Sequence, residues 1–207
     1  MTSPKDVLPI ATNKAFWLAS ASVNRRNLLA QIGIVPDNVV APNIDETPHR
    51  RETPPDFARR MADEKLDFIL QSEVGAHDAL VLAADTVVSV GRRILPKATN
   101  EEEARACLKL LSGRNHKVQT AVILGINGQR VRRFVMTRVK VKNLSQNEIA
   151  AYIASGEWQN KAGGYAIQGR AAAFINGLVG SYTNVVGLPL FETMALVQGV
   201  GYYIKGE

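Results

Sequence analysis

The spacing of apolar and polar residues along the chain predicts strands that alternate with helices. Short apolar, β-branched runs are typical of buried strands, and apolar residues three and four positions apart are typical of helices. The expected strands span residues 16–19, 80–90 (one strand or a strand pair), 117–126 and 130–142. The expected helices follow Ser22, Thr53, Thr99 and Ser145, and a closing helix covers Leu190 to Val197. Hairpin signals are mixed in, such as the turn at Asn127-Gly128, so we expect an α/β fold with a mixed sheet.

Local signals refine this picture. Thr99 with Glu102 and Ser145 with Glu148 have the spacing of capping boxes, and Thr53 precedes two prolines that suit a first helical turn. The glycine-rich segment 156–187 predicts loops between short strands. Residues 1–14 predict a loose leader, which leaves residues 15–207 as a single domain.

Composition and charge narrow the class of protein. The 207 residues are 46% hydrophobic and 21% charged, which suits one domain or two small lobes around a cleft. The formal net charge of +6 favours anionic partners such as nucleotides, nucleic acid or acidic lipid. Only 6% of residues are aromatic, so platforms for stacking single strands are scarce and nucleic acid is not the expected partner.

Several classes of protein are disfavoured by what the sequence lacks. The single cysteine, Cys107, permits no intrachain disulfide, which favours a reducing compartment. None of the three histidines belongs to a metal-ligand pair, so a zinc site is not expected. No run is long and apolar enough for a membrane span, and the first residues lack the apolar core of a signal peptide. We therefore expect a cytoplasmic protein without a membrane partner.

Carboxylates and hydroxyls at strand ends are the first candidates for chemistry. Asp85 interrupts an apolar run, where a lone carboxylate is costly to bury; it is either a turn residue or a metal-bound carboxylate or general base. Ser20 lies between a strand and a helix start, and Arg25 follows in the first turns. A helix N-terminus suits a phosphate, but a simple serine cap with solvated arginines explains the pattern equally well.

Lysines, a glutamate and an amide complete the set of candidates. Lys65 falls on the apolar stripe of its helix, which has two interpretations. Either its aliphatic stem packs along the edge of the core with the ammonium in solvent, or its ammonium points into a phosphate-binding cleft. Lys97 raises the same question, and Glu46 is an exposed loop residue or a partner of Asp85 around a hard cation such as Mg²⁺. Gln168 follows a glycine-rich stretch and either lies in a tight turn or reads a base edge.

Several long motifs, in order, make the chain resemble the Maf family of nucleoside triphosphate pyrophosphatases, from Leu18 to Thr193. These are LASAS (18–22) with Arg25, IDETP (44–48), ADTVV (84–88), LLSGRNHKVQT (110–120), KAGGYAIQG (161–169) and GSYTNVVGLPL (180–190). The resemblance implies an elongated mixed sheet flanked by helices, with two lobes around a nucleotide cleft. It also implies hydrolysis of a triphosphate to the monophosphate and pyrophosphate with Mg²⁺ or Mn²⁺, and a homodimer is compatible with the family.

The resemblance also implies roles for individual residues. Asp85 corresponds to the catalytic carboxylate and, with Glu46, to a metal ligand. The residues that correspond to phosphate-binding positions are Ser20, Arg25, Lys65 and Lys97. The residues that correspond to base-reading positions are Asn24, Thr86 and Gln168.

Thr86 and Gln168 resemble the branch of the family that acts on dTTP and UTP, whereas Asn24 departs from it. That branch usually has an arginine at this position, and the family commonly has Gly-Lys-Pro where this chain has Pro96-Lys97-Ala98. Two other functions stay open on the sequence: a nucleotide- or nucleic-acid-binding regulatory protein without turnover, and an enzyme for modified nucleotides. Hydrolysis of dTTP- or UTP-like nucleotides is the expectation carried forward.

Overall fold

A computed structural model describes residues 14–202, and all but the last residue of the expected leader lies outside this range. The strands are β1 (Phe16–Ala19), β2 (Asn38–Val40), β3 (Leu80–Val90), β4 (Arg93–Leu95), β5 (Asn115–Ile126), β6 (Gln129–Val141) and β7 (Ile175–Val179). The helices are α1 (Val23–Gln31), α2 (Pro54–Ser72), α3 (Glu101–Leu111), α4 (Gln146–Ala154), α5 (Tyr182–Val186) and α6 (Leu190–Gly199). Within residues 14–202, no helix has the length and apolar character needed to cross a bilayer.

The strands form one seven-stranded mixed sheet, as the sequence predicts. Its order is β2-β1-β3-β5-β6-β7, with β4 paired to β3. β1 pairs in parallel with β2 and β3, whereas the pairs β3–β4, β3–β5, β5–β6 and β6–β7 are antiparallel. The long β5–β6 hairpin turns at Asn127-Gly128, both with positive φ.

Three apolar clusters fix the helices to this sheet. α2 packs Met61, Leu66 and Ile69 on one face of β3 and β5. α1 and α6 cover the other face of β1, β3 and β5. α3 and α4 enclose a separate cluster with β4 and the far ends of β5 and β6. The described chain therefore has two lobes, and β3 runs from one to the other.

Four local predictions need correction. The cap of α3 is Asn100, whose side chain accepts from the Glu103 backbone N–H; Thr99 instead donates to the Glu103 carboxylate. β5 begins two residues before the expected position, and α6 extends to Gly199. The segment 156–187 contains the strand β7 between loops, as predicted, but also a 3-10 turn (residues 170–174) and the short helix α5, which were not predicted.

One edge of β3 is open between its two neighbours. β1 pairs with residues 80–83 of β3, and β4 pairs with residues 88–90 on the same edge. Residues 84–87 have no strand beside them on this edge within the described part of the chain. Because alternate side chains of a strand point to opposite faces, Asp85 faces α2 while Thr86 faces α1. Groups from both faces of the sheet therefore meet at this gap.

Candidate active site

A cavity of about 560 Å³ lies at the open edge of β3. The end of β1, the start of α1, the loop before α2 and the segments 160–168 and 185–187 enclose it. Its lining includes all nine residues singled out from the sequence: Ser20, Asn24, Arg25, Glu46, Lys65, Asp85, Thr86, Lys97 and Gln168. The fold therefore brings together residues that are up to 148 positions apart, from Ser20 to Gln168.

Asp85 and Lys65 form a buried ion pair at the floor of the cavity. Each residue is only 5% exposed, and the Lys65 Nζ lies 2.6 Å from Asp85 Oδ1. The same ammonium lies 2.8 Å from Glu46 Oε1. This geometry explains the lysine on the apolar face of α2: its stem packs with that face while its charge reaches two carboxylates. The snorkelling alternative does not describe it.

Glu46 joins two lysines at the mouth of the cavity. Its second carboxylate oxygen contacts the ammonium of Lys97, which is half exposed. Burial by itself would raise the pKa of Glu46, but hydrogen bonds from Lys65 and Lys97, together with their charges, outweigh it and lower the pKa to about 2. Glu46 is thus a carboxylate throughout the physiological range and is not a free loop residue.

Arg25 is held in place by three hydrogen bonds to protein acceptors. Its Nε donates to the Gly187 carbonyl (2.9 Å), Nη1 to Ser20 Oγ (3.0 Å) and Nη2 to Thr86 Oγ1 (3.1 Å). A guanidinium has five N–H donors, so one N–H on each terminal nitrogen remains for a ligand. Burial lowers the pKa of Arg25, and the negative charges of Asp85 and Glu46 oppose that shift.

The start of α1 adds donors on the same side of the cavity. Ser22 is the N-cap, and its Oγ accepts from the Arg25 backbone N–H. Ser20 Oγ accepts both from the Ser22 backbone N–H (3.2 Å) and from Arg25 Nη1, so its own proton is left to donate. With the positive end of the helix dipole, this arrangement suits a phosphate oxygen.

Two side-chain amides also line the cavity. Asn24 and Gln168 line it and also line an adjoining, more open hollow of about 480 Å³ that includes Gln159 and Asn160. Amides carry both donors and acceptors and therefore suit a base edge. Thr86 differs from them, because its hydroxyl is within hydrogen-bond distance of Arg25, Thr120 and the Gly187 carbonyl.

The donor set fits a hard divalent cation that shares ligands with a substrate. Glu46 and Asp85 offer carboxylate oxygens in one cavity, bonded to the same ammonium. Residues 14–202 contain no cluster of three or more histidine, cysteine or acidic side chains with metal-binding geometry. Mg²⁺ commonly takes one or two carboxylates and completes its shell with water and substrate phosphates, so two carboxylates are sufficient.

The sequence analysis singled out the glycine-rich stretch before Gln168 but did not predict how that stretch closes the cavity. Residues 160–163 are joined to the segment after β4 by a bridge between Lys97 and Ala162 and by the hydrogen bond from Gly163 N to the Pro96 carbonyl. A Cβ at Gly163 would lie 2.9 Å from Val88, and the residue has a φ of +71°, so both space and backbone require glycine there. The glycine pair in KAGGYAIQG was the available signal for a close packing of this loop.

Gly187 was also missed, although it lies in the motif GSYTNVVGLPL. Its contribution to the cavity is the backbone carbonyl that accepts from Arg25 and lies 3.3 Å from Thr86 Oγ1. A carbonyl role leaves no side-chain signature, so residue types alone do not reveal it.

Comparison with known proteins agrees with this architecture. The family described as Maf-like protein matches residues 15–200. A relative from Brucella abortus, named dTTP/UTP pyrophosphatase, is 57% identical over 189 residues, which cover 89% of this chain and 91% of the relative. Relatives of the same name from Mesorhizobium japonicum and Caulobacter vibrioides are each 53% identical, with 90% and 93% of this chain and 92% and 99% of the relative covered. The chain belongs to the Maf family.

Proposed function

We propose that this protein is a nucleoside triphosphate pyrophosphatase that hydrolyses dTTP- and UTP-like nucleotides, modified ones included, to the monophosphate and pyrophosphate. The observation that carries the proposal is the buried Asp85–Lys65 ion pair with Glu46 bound to the same ammonium, which lies in the same cavity as Arg25 and Lys97. Relatives at 53–57% identity that bear the name dTTP/UTP pyrophosphatase support the substrate class.

The charges in the cavity indicate how a triphosphate is accommodated. Arg25, Lys65 and Lys97 provide three positive charges, and Glu46 and Asp85 provide two negative ones, so these five groups together carry +1. A triphosphate carries several negative charges, which this balance does not neutralise. Glu46 and Asp85 would hold Mg²⁺ or Mn²⁺, which supplies Lewis-acid stabilisation of phosphate oxygens when bound.

Each charged side chain in the cavity has its own role in the reaction. Asp85 orients a water molecule and accepts its proton as the water oxygen attacks the α-phosphorus at the α–β bridge. The bond from that phosphorus to the bridging oxygen breaks, and pyrophosphate leaves. The two free N–H bonds of Arg25 and the ammonium of Lys97 offset the charge that develops on phosphate oxygens. Lys65 holds the carboxylates of Asp85 and Glu46 in place through its ammonium.

We assign base recognition to the amide end of the cavity. Asn24 and Gln168 present donors and acceptors that match the carbonyl and N–H groups of a pyrimidine edge. Thr86 forms the adjoining wall. The departure from the dTTP/UTP branch at Asn24 removes a cation from this end, which affects affinity for a given base more than the chemistry at the phosphates.

We also propose that residues 15–207 form one catalytic domain, since both lobes contribute to the cavity. A chain that starts at residue 15 should then retain the turnover of the full-length protein. Loss of folding in that shortened chain would show that the leader is part of the domain.

The test of the proposed function is a product analysis. Purified protein is incubated with Mg²⁺ or Mn²⁺ and with dTTP, UTP, CTP, ATP, GTP and 5-substituted pyrimidine triphosphates, and products are separated by ion-exchange chromatography. We expect equimolar monophosphate and pyrophosphate, fastest for thymine and uracil nucleotides. Diphosphate with inorganic phosphate would disprove cleavage at the α–β bridge. Binding without turnover of any triphosphate would favour the regulatory nucleotide-binding function.

A further inference from the structure

A pair of threonine hydroxyls lies directly behind the cavity. Thr120 of β5 is the cross-strand partner of Thr86 in β3, so both side chains lie on the same face of the sheet. Thr120 is fully buried and is not part of the cavity lining. The two Oγ1 atoms are 3.0 Å apart, and Thr120 Oγ1 also lies 3.4 Å from the Asn184 carbonyl.

The hydroxyls of Thr86 and Thr120 have two possible hydrogen-bond arrangements. The Thr86 oxygen accepts from Arg25 Nη2, and its proton has two acceptors within reach, the Gly187 carbonyl and Thr120. When Thr86 donates to Gly187, Thr120 donates to Thr86; when Thr86 donates to Thr120, Thr120 donates to the Asn184 carbonyl. In both arrangements Thr120 holds the Thr86 hydroxyl in the position that receives Arg25.

The far end of this hydrogen-bond chain is anchored to a third strand. The Nδ2 of Asn184, which is fully buried, donates to Thr137 Oγ1 of β6 (2.9 Å) and to the Val118 carbonyl (3.0 Å). Thr137 in turn donates to the Ser181 carbonyl and accepts from the Ser181 N–H. These bonds fix the segment that carries Gly187, and Gly187 accepts from Arg25 Nε.

We propose that Thr120 is a positioning residue for phosphate recognition, which acts through Thr86 to set the plane of the Arg25 guanidinium. Two of the three protein acceptors of Arg25, Thr86 Oγ1 and the Gly187 carbonyl, are connected to Thr120 by hydrogen bonds. A guanidinium is planar, so fixing Nε and Nη2 also fixes the direction of its two remaining N–H bonds. This inference rests on the proposed function only because that function identifies the ligand as a nucleoside triphosphate. It does not require that the protein hydrolyse this ligand.

The substitution Thr120→Val tests the proposal, because it keeps the shape of the side chain and removes only the hydroxyl. We measure kcat and KM for dTTP, UTP and CTP, and the Kd of an α,β-methylene analogue of dTTP, which cannot be cleaved at the α–β bridge. We expect kcat/KM to fall about tenfold for every base, because a small misplacement of a binding group is costly. The Kd of the analogue should rise by a similar factor, and the ratio of kcat/KM between bases should stay within about twofold.

Two further variants separate positioning from a general loss of structure. Ser89→Ala also removes a buried hydroxyl that bridges β3 and β5, since Ser89 Oγ accepts from Gln119 Nε2, but neither residue lines the cavity. This variant should keep the kinetics of the wild type even where its thermal stability falls as far as that of Thr120→Val. Thr120→Ser restores the hydroxyl and should recover most of the lost kcat/KM.

The possible results are distinct. Wild-type kinetics in a folded Thr120→Val variant would overturn the positioning role, and so would equal losses in Thr120→Val and Ser89→Ala. If Thr120→Val does not fold, Thr120→Ala is measured with the same expectations. If the wild type hydrolyses no triphosphate, the proposed function fails, while a weaker Kd of the analogue in Thr120→Val would still support the positioning role.

Discussion

Replacing Asp85 by asparagine is the most direct perturbation of the proposed chemistry. The substitution keeps the shape of the side chain and an oxygen that accepts from Lys65, but it removes the negative charge. Asp85 then neither accepts a proton from water nor contributes a charged oxygen to a divalent cation. A positioned general base is worth about 10²–10⁴ in rate, so we expect kcat/KM to fall at least ~10³-fold once the weaker metal site is included.

The structure also sets the cost of this change to stability. Removing one partner of a buried ion pair costs about 3–5 kcal/mol. Lys65 retains Glu46 at 2.8 Å, and the amide oxygen keeps the hydrogen bond to its ammonium, so we expect a cost of ~1–3 kcal/mol. For a protein of this size that corresponds to a decrease in Tm of roughly 2–12 °C. The variant should therefore be folded at 25 °C, where turnover is measured.

The assay is monophosphate release from dTTP at saturating Mg²⁺, with circular dichroism to follow the Tm. Asp63→Asn is the matched control, because it makes the same chemical change on α2 at a partly exposed carboxylate that pairs with Arg132 outside the cavity. The control should keep wild-type turnover. Turnover of the Asp85→Asn protein within about fivefold of wild type would refute the assignment of Asp85 as the catalytic carboxylate.

Three other predictions follow from the same structure. His116 is buried against the Tyr165 hydroxyl, and burial lowers its pKa to about 4, below the usual 6.5. As the pH decreases, His116 is therefore protonated at a higher pH in the unfolded chain than in the folded protein. The free energy of unfolding should fall by up to about 3 kcal/mol between pH 6.5 and pH 4. Urea denaturation at pH 7 and pH 5 should show this slope in the wild type and a flatter one in His116→Gln; equal slopes would exclude His116 as its source. Asn24→Arg adds a cation and further donors at the base end, so the KM for dTTP and UTP should fall about 3- to 10-fold; an unchanged KM would mean that this position does not contact the substrate. Chelation of divalent metal should abolish turnover and leave the Tm within a few degrees; turnover that survives exhaustive chelation would remove the metal from the mechanism.

Local patterns in the sequence were sufficient for most of the fold. Apolar, β-branched runs predict β1, β3 and the β5–β6 hairpin close to their observed limits, and a 3.6-residue periodicity predicts α2, because each of these elements buries apolar side chains. The capping box at Ser145 and Glu148 is present in full. The prediction was wrong where two caps compete: Thr99 and Asn100 are adjacent, both engage Glu103, and only the backbone geometry decides which of them begins α3.

The candidate site was predictable as a set of residues but not as a set of contacts. The residue pattern and the family resemblance together identified nine side chains that the fold places in one cavity. They gave no indication that Lys65 reaches two carboxylates or that Arg25 has three protein acceptors, since both depend on strand register and on the packing of α2. Thr120 lies within the motif LLSGRNHKVQT, but its relation to Thr86 appears only when β5 is aligned with β3.

The open edge of β3 explains how one short motif could serve two parts of the proposed reaction. If β1 extended past Ala19, it would cover residues 84–87 and no ligand could approach that edge. Because β1 ends at Ala19, both side chains can be reached from this edge. Asp85 projects towards α2, where Lys65 and Glu46 hold it, and Thr86 projects towards α1, where its hydroxyl accepts a hydrogen bond from Arg25. Adjacent residues of a strand point to opposite faces, so a shift of β3 by one residue would exchange the two environments. Asp85 would then lose its lysine and Arg25 its hydroxyl, which means that the pairing of β3 with β5 constrains the chemistry as strongly as the identity of either side chain.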